Sequence, residues 1–86
     1  MKLKVELSRN AKKELLSIPK NIARRIIDEL KKLQDIPIPR YAVKIRGEKD
    51  VYRIRIGDYR ILYKILWGDK VIIVFRISHR RTAYRR

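Results

Sequence analysis

Seven basic side chains in the C-terminal half, Lys44, Arg46, Arg53, Arg55, Arg60, Lys64 and Arg76, alternate with apolar residues, and Arg80 follows them. Period-two spacing on strands sends alternate residues to one face of a sheet, so these cations are expected to share a surface. A guanidinium presents paired donors that match two phosphate oxygens, and it stays protonated at any relevant pH. Such a surface binds and stabilises negative charge. It cannot itself take up a proton. Like charges on adjacent strands oppose folding by about 0.2–1 kcal/mol per directly opposed pair, and no acidic residue occupies these strand positions to offset them. An open sheet face needs to be polar, but it does not need to be of one sign.

The rest of the composition narrows the ligand. The chain has 86 residues, with 24 Lys or Arg against 9 Asp or Glu and a formal net charge of +15. That length holds one domain, taken as residues 1–86, and hydrophobic residues at 45% are too many for a basic disordered tail. A Lys- and Arg-rich composition also occurs in thermophiles. On a folded domain, excess positive charge most often serves a polyanion, RNA or DNA. With no cysteine and one histidine, neither a disulfide scaffold nor a structural zinc site can be assembled. A reducing cytoplasm is the expected compartment. The opening Met1-Lys2-Leu3-Lys4-Val5-Glu6 alternates charge with apolar residues, and no stretch approaches the roughly 18 apolar residues of a membrane span.

The elements that position these cations follow from periodicity. Leu3, Val5 and Leu7 alternate with Lys2, Lys4 and Glu6 as in a half-buried strand, and Ser8 supplies a helix N-cap. Ala11, Leu15, Leu16 and Ile18 make the apolar stripe of a first helix. Pro19 interrupts it and opens a second at its first turn. In the second helix Ile22, Ala23, Ile26, Ile27, Leu30 and Leu33 share one face. Pro37 and Pro39 end the helical hairpin, and residues 35–40 read as an extended connection. From Tyr41 the period is two. Val43 and Ile45 are expected inward and Lys44 and Arg46 outward, with a turn at residues 47–50. Tyr52, Ile54 and Ile56, then Tyr59, Ile61, Tyr63 and Ile65, point inward across a two-residue Gly57-Asp58 turn. Gly68-Asp69 suggests a second such turn. The last strand, from Val71 to Ser78, is expected to bury Val71, Ile73, Phe75 and Ile77. This is an α+β plan: an N-terminal strand, a two-helix hairpin, then an antiparallel β-meander packed on the helices.

The run Tyr52-Arg53-Ile54-Arg55-Ile56-Gly57-Asp58-Tyr59-Arg60-Ile61-Leu62-Tyr63, with the terminal His79-Arg80-Arg81-Thr82-Ala83-Tyr84-Arg85, resembles the RelE/ParE superfamily of type II toxin–antitoxin toxins. The resemblance covers nearly the whole chain and implies a RelE-like fold. RelE-like members enter the ribosomal A site and cut mRNA, whereas ParE-like members inhibit DNA gyrase. The terminal motif favours the endoribonuclease. That activity implies attack of a ribose 2′-hydroxyl on the adjacent phosphate without metal or small-molecule cofactor, leaving a 2′,3′-cyclic phosphate and a 5′-hydroxyl. It also implies a cognate antitoxin, and mRNA and ribosomal RNA as partners.

By resemblance Arg60 grips the scissile phosphate, Arg80 or Arg81 is the arginine of the terminal motif, and Tyr84 its tyrosine. Arg53 and Arg55 stand where some relatives have lysines. Since arginine cannot accept the proton, Tyr84, whose phenolate nearby guanidiniums would favour, is the first candidate for general base, with His79 the alternative. The general acid is left open between His79 and charge stabilisation by arginine. Lys44, Arg46, Arg53, Arg55, Lys64 and Arg76 are the expected RNA contacts. The helical cations Lys12, Lys13, Lys20, Arg24, Arg25, Lys31 and Lys32 would meet ribosomal RNA or nothing. Tyr41, Tyr52, Tyr59, Tyr63 and Trp67 read mostly as packing residues. Two other functions fit the sequence, a ParE-like gyrase inhibitor and a non-catalytic RNA-binding domain.

Overall fold

Ser8 has an extended backbone, and its side-chain oxygen accepts from Ala11 N at 3.1 Å, so the chain turns from strand to helix where a capping residue is present. The computed structural model describes residues 2–80. β1 (Lys4–Leu7) leads into α1 (Arg9–Leu16) and α2 (Lys20–Lys32), followed by β2 (Val43–Lys44), β3 (Val51–Ile56), β4 (Tyr59–Leu66) and β5 (Val71–His79). The five strands form one sheet in the order β1-β5-β4-β3-β2. β1 lies parallel to β5, and the other neighbours are antiparallel. The α+β plan is therefore present, with the helical hairpin carrying the chain from β1 at one sheet edge to β2 at the other. No helix among the described residues is long and apolar enough to cross a membrane.

The helices bury one sheet face. Ile26, Leu30 and Leu33 of the second helix and its end meet Ile54, Ile61, Ile65, Ile72 and Val74, all at most 3% exposed. Tyr63 joins them, and its hydroxyl donates to Pro37 O at 2.7 Å, tying the connection after α2 to the core. Burial of some 1.5–3 kcal/mol per large apolar side chain is ample to hold this layer.

Four expectations from periodicity need correction. Leu16 is 86% exposed: it lies five residues beyond the buried Ala11, well around the helix from the stripe that Leu15 and Ile18 continue. Pro19 is the N-cap, with φ −52° and ψ 139°, and stands before the first turn. The β4–β5 connection has four residues, and its left-handed position is Lys70 at φ 56°, with Gly68 outside that region. Ile72 and Val74 are fully buried, whereas Val71, Ile73 and Phe75 are only partly covered. The last reversal has a local cause. Leu62 pairs with Arg76 but Tyr63 pairs with Val74, so Phe75 is an extra residue in β5. This bulge reverses the inward parity between Val74 and Ile77.

β2 is also shifted by one residue. Val43 pairs with Arg53 and Lys44 with Tyr52, so Val43, 46% exposed, stands on the open face and Lys44 on the helix side. The cause is the bond from Ile45 N to Val51 O, which fixes a turn over residues 46–50 with left-handed backbone at Gly47 and Asp50. Arg46 lies in that turn.

β1 stops opposite Val74 while β5 runs on to His79. Glu14 of α1 occupies the uncovered edge: Oε1 accepts from Ile77 N at 2.6 Å and Oε2 pairs with Arg76 Nε at 3.0 Å. Removing the carboxylate strands a backbone donor. Glu14→Ala should cost about 1–3 kcal/mol, read as a lowered midpoint in urea unfolding with unchanged slope. Burial pushes the Tyr63 phenol well above its ordinary 10.0, with the Tyr52 and Tyr41 phenols adding to the shift. In that window the unfolded chain releases a proton that the native state retains. Stability should therefore fall as pH rises above about 10, and Tyr63→Phe should flatten that fall in alkaline denaturant melts.

Candidate nucleic-acid interface

Three strands display the arginines on the face that the helices leave open. Arg55 pairs with Arg60, and Arg60 with Ser78, forming one rung. Arg53, Leu62 and Arg76 form the next, and Lys64 stands beyond them opposite Val51 and Ile73. Directly opposed residues point to the same side with Cβ atoms roughly 4.5–5.5 Å apart, so Arg55 and Arg60 share one small area of surface. Gly57 at φ 58° makes this possible, since the tight turn needs a left-handed residue where a Cβ would be strained. Arg60 is half-buried with its Nε covered, whereas Arg55 is exposed. Arg80 N donates to Asp58 O at 2.6 Å, so the end of β5 is held against the hairpin that carries both residues.

The other expected contacts are distributed unevenly. Arg53 and Lys64 lie on the arginine face, and Arg76 reaches the edge, where Glu14 holds it. Lys44 and Arg46 do not join them, because of the shifted β2 register. His79 pairs with Tyr59, one rung on from Arg60, and therefore on the opposite face. Its ring stands edge-on to Tyr59 with centroids 5.0 Å apart, beside a cavity of about 330 Å³ that Glu14, Ser17 and Arg76 also line. Arg81 and Tyr84 lie outside the described residues.

A second cluster escaped the sequence reading. Arg25, Glu29 and Lys32 of α2 line a cavity of about 300 Å³ with Tyr41, Arg55 and Ile56. Glu29 Oε2 pairs with Lys32 Nζ at 3.1 Å, and Oε1 accepts from the Tyr41 hydroxyl at 3.1 Å. The Lys32 hydrogen bond holds the Glu29 carboxyl below its usual range, with help from Tyr41 and against partial burial. Burial, then Glu29 itself, pushes the Tyr41 phenol up, so it stays a donor. The spacing of residues 25, 29 and 32 at four and three was the available signal, because it sets them on one helix face.

Known proteins share this fold and much of this sequence. A model of the ParE toxin of type II toxin–antitoxin systems matches residues 5–84. RelE1 of Methanocaldococcus jannaschii is 35% identical over 88 aligned positions, spanning 99% of this chain and 98% of that protein. Toxin RelE3 of the same organism is also 35% identical, over 95% of this chain and 96% of its own. Among solved structures, a chain of the archaeal RelE–RelB complex of Pyrococcus horikoshii is 34% identical with a TM-score of 0.79, covering 93% of this chain and 97% of that one. With its strand, helical hairpin and antiparallel strands in the same order, this chain belongs to the ParE toxin family of type II toxin–antitoxin systems and is a RelE-like toxin.

Proposed function

We propose that the chain is a ribosome-dependent mRNA endonuclease, restrained by a cognate antitoxin. The observation that carries this reading is the rung of Arg55 and Arg60 on the uncovered sheet face, with the Arg80 backbone held against the same hairpin. Guanidiniums gathered at one end of a sheet suit a single phosphate gaining charge better than a long duplex. In the proposed reaction the ribose 2′-oxygen attacks phosphorus, the P–O5′ bond breaks, and the products are a 2′,3′-cyclic phosphate and a 5′-hydroxyl. Arg60 bridges the non-bridging oxygens as charge builds on them, and Arg55 and the terminal-motif arginines, Arg80 and Arg81, share that charge. The proton leaving the 2′-hydroxyl goes to Tyr84 as phenolate, and the departing 5′ oxygen takes up a proton from water. His79, on the other face, is better placed to support Tyr59 than to move this proton.

The antitoxin follows from kinship and charge. The Pyrococcus horikoshii RelE relative is in complex with RelB. A chain of net charge +15 is well matched by an acidic segment laid over the arginine face. That cover would occupy the same guanidiniums as the substrate.

Toeprinting of translating ribosomes tests the proposal. Wild-type protein should produce new breaks in the A site. Arg60→Ala should slow them about 10²–10³-fold, the size expected for a lost donor to transition-state charge. Arg60→Lys should restore part of the rate, having charge without the paired donors, and Tyr84→Phe should stop cleavage while leaving ribosome binding intact. Intact mRNA at saturating wild-type protein would reject the endonuclease. Inhibition of DNA supercoiling by that protein would favour the gyrase reading instead.

A further inference from the structure

Apart from Arg55, the residues lining the cavity between α2 and the edge of β3 have no part in the cleavage steps above. β2 covers β3 only at Tyr52 and Arg53, leaving the strand edge open at Arg55. There α2 brings Arg25 close to the hairpin, its Nη1 3.7 Å from the position a Cβ on Gly57 would take. Arg25 and Arg55, one from a helix and one from a strand, line the same 300 Å³ space.

Glu29 does not cancel both charges. Its two oxygens are committed to Lys32 and Tyr41, each at 3.1 Å. Arg25 acts on Glu29 only through space, and Arg55 has no ion pair among the described residues. The same hydrogen bond fixes the Tyr41 phenol, whose residue is 53% exposed and so offers a flat apolar wall in one orientation. Two guanidiniums beside a steadied aromatic ring complement a nucleotide: paired donors for the phosphate, a π-face for the base. An acidic peptide would use the cations but gain little from the ring.

We infer that this notch is a nucleotide subsite for single-stranded RNA, in which Arg25 and Arg55 hold a backbone phosphate and Tyr41 stacks the adjoining base. The inference rests on the reading of the arginine face as an RNA surface, since Arg55 belongs to both. A strand crossing the sheet face passes Arg55 and turns over the open edge onto α2. The notch thus sets how flanking RNA is held, apart from the bond that is cut.

Binding of a fluorescein-labelled, fully 2′-O-methylated oligoribonucleotide, which cannot be cleaved, separates the two readings. Anisotropy titrations over a roughly fourfold range of salt should show Arg25→Ala weakening affinity about 5- to 10-fold and lowering the salt slope by about one. Tyr41→Ala should weaken it at least about 5-fold with the slope unchanged, and Tyr41→Phe, which keeps the ring, should retain most of the affinity. Arg24→Ala, one residue outside the notch, should stay within about twofold of wild type. Circular-dichroism melts establish that each variant is folded. Wild-type affinity in both Arg25→Ala and Tyr41→Ala would overturn the subsite. So would an Arg24→Ala loss equal to that of Arg25→Ala, or failure of the wild type to bind. Toeprinting with the same wild-type preparation tells the two failures apart. Cleavage with undiminished binding in the variants removes the notch and keeps the endonuclease, and notch-dependent binding without cleavage does the reverse.

Discussion

Arg55 and Arg60 face each other across β3 and β4, and the free protein must hold these like charges together. The force that does so lies on the other side of the same hairpin. Ile54 pairs with Ile61 and Ile56 with Tyr59, and the three isoleucines are at most 4% exposed. Their burial contributes some 1.5–3 kcal/mol per side chain, against a repulsion of about 0.2–1 kcal/mol for the opposed arginines. The hydrophobic layer wins by a margin that holds both arginines on one rung of the sheet. Preorganised charge of this kind suits transition-state stabilisation, because little reorganisation is needed when the phosphate arrives.

The two ends of the sheet meet solvent differently. At β5 the carboxylate of Glu14 takes the place of a missing strand, satisfying Ile77 N and drawing Arg76 away from the arginine face. At β3 the short β2 leaves Arg55 uncovered, and a helical cation, Arg25, lines the same cavity. One edge is closed by an acid and the other is lined by bases. A polyanion lying on the open face therefore meets a charge gradient toward β3, and can leave the sheet with favourable contacts on that side.

The sequence made most of this visible where a single period ran without interruption. β3 and β4 kept their alternation, so Arg53, Arg55, Arg60 and Lys64 could be assigned a face from spacing alone. Alternation failed where the ladder itself changes. The bulge at Phe75 inserts one residue and inverts the parity of five positions, and nothing in a run of Val, Ile and Phe marks which residue is extra. The two-residue β2 is set by a backbone bond at Ile45, and its shift moved Lys44 to the helix side. His79 was legible in face as well as chemistry, since alternation from Ile77 turns it inward beside Tyr59, away from the arginine face. The notch was missed for a different reason. Its residues come from α2, β3 and the connection between them, and only the helical spacing of Arg25, Glu29 and Lys32 hinted at a common surface.

The acids in ion pairs between described residues come from β1 and the two helices, none from β3 or β4. The ion pairs among the described residues engage Glu6 with Lys4, Glu29 with Lys32, and Glu14 with Arg76. Arg53, Arg55 and Arg25 take part in none of them. A carboxylate placed within the arginine face would relieve repulsion in the free protein, but it would have to be displaced, at the cost of a desolvated ion pair, whenever a phosphate bound. Keeping the acids at the strand edge and on the helix avoids that competition. The arrangement gives up a little native-state stability and leaves Arg53 and Arg55 open to anions from outside, so any polyanion that covers this face excludes any other from the same surface.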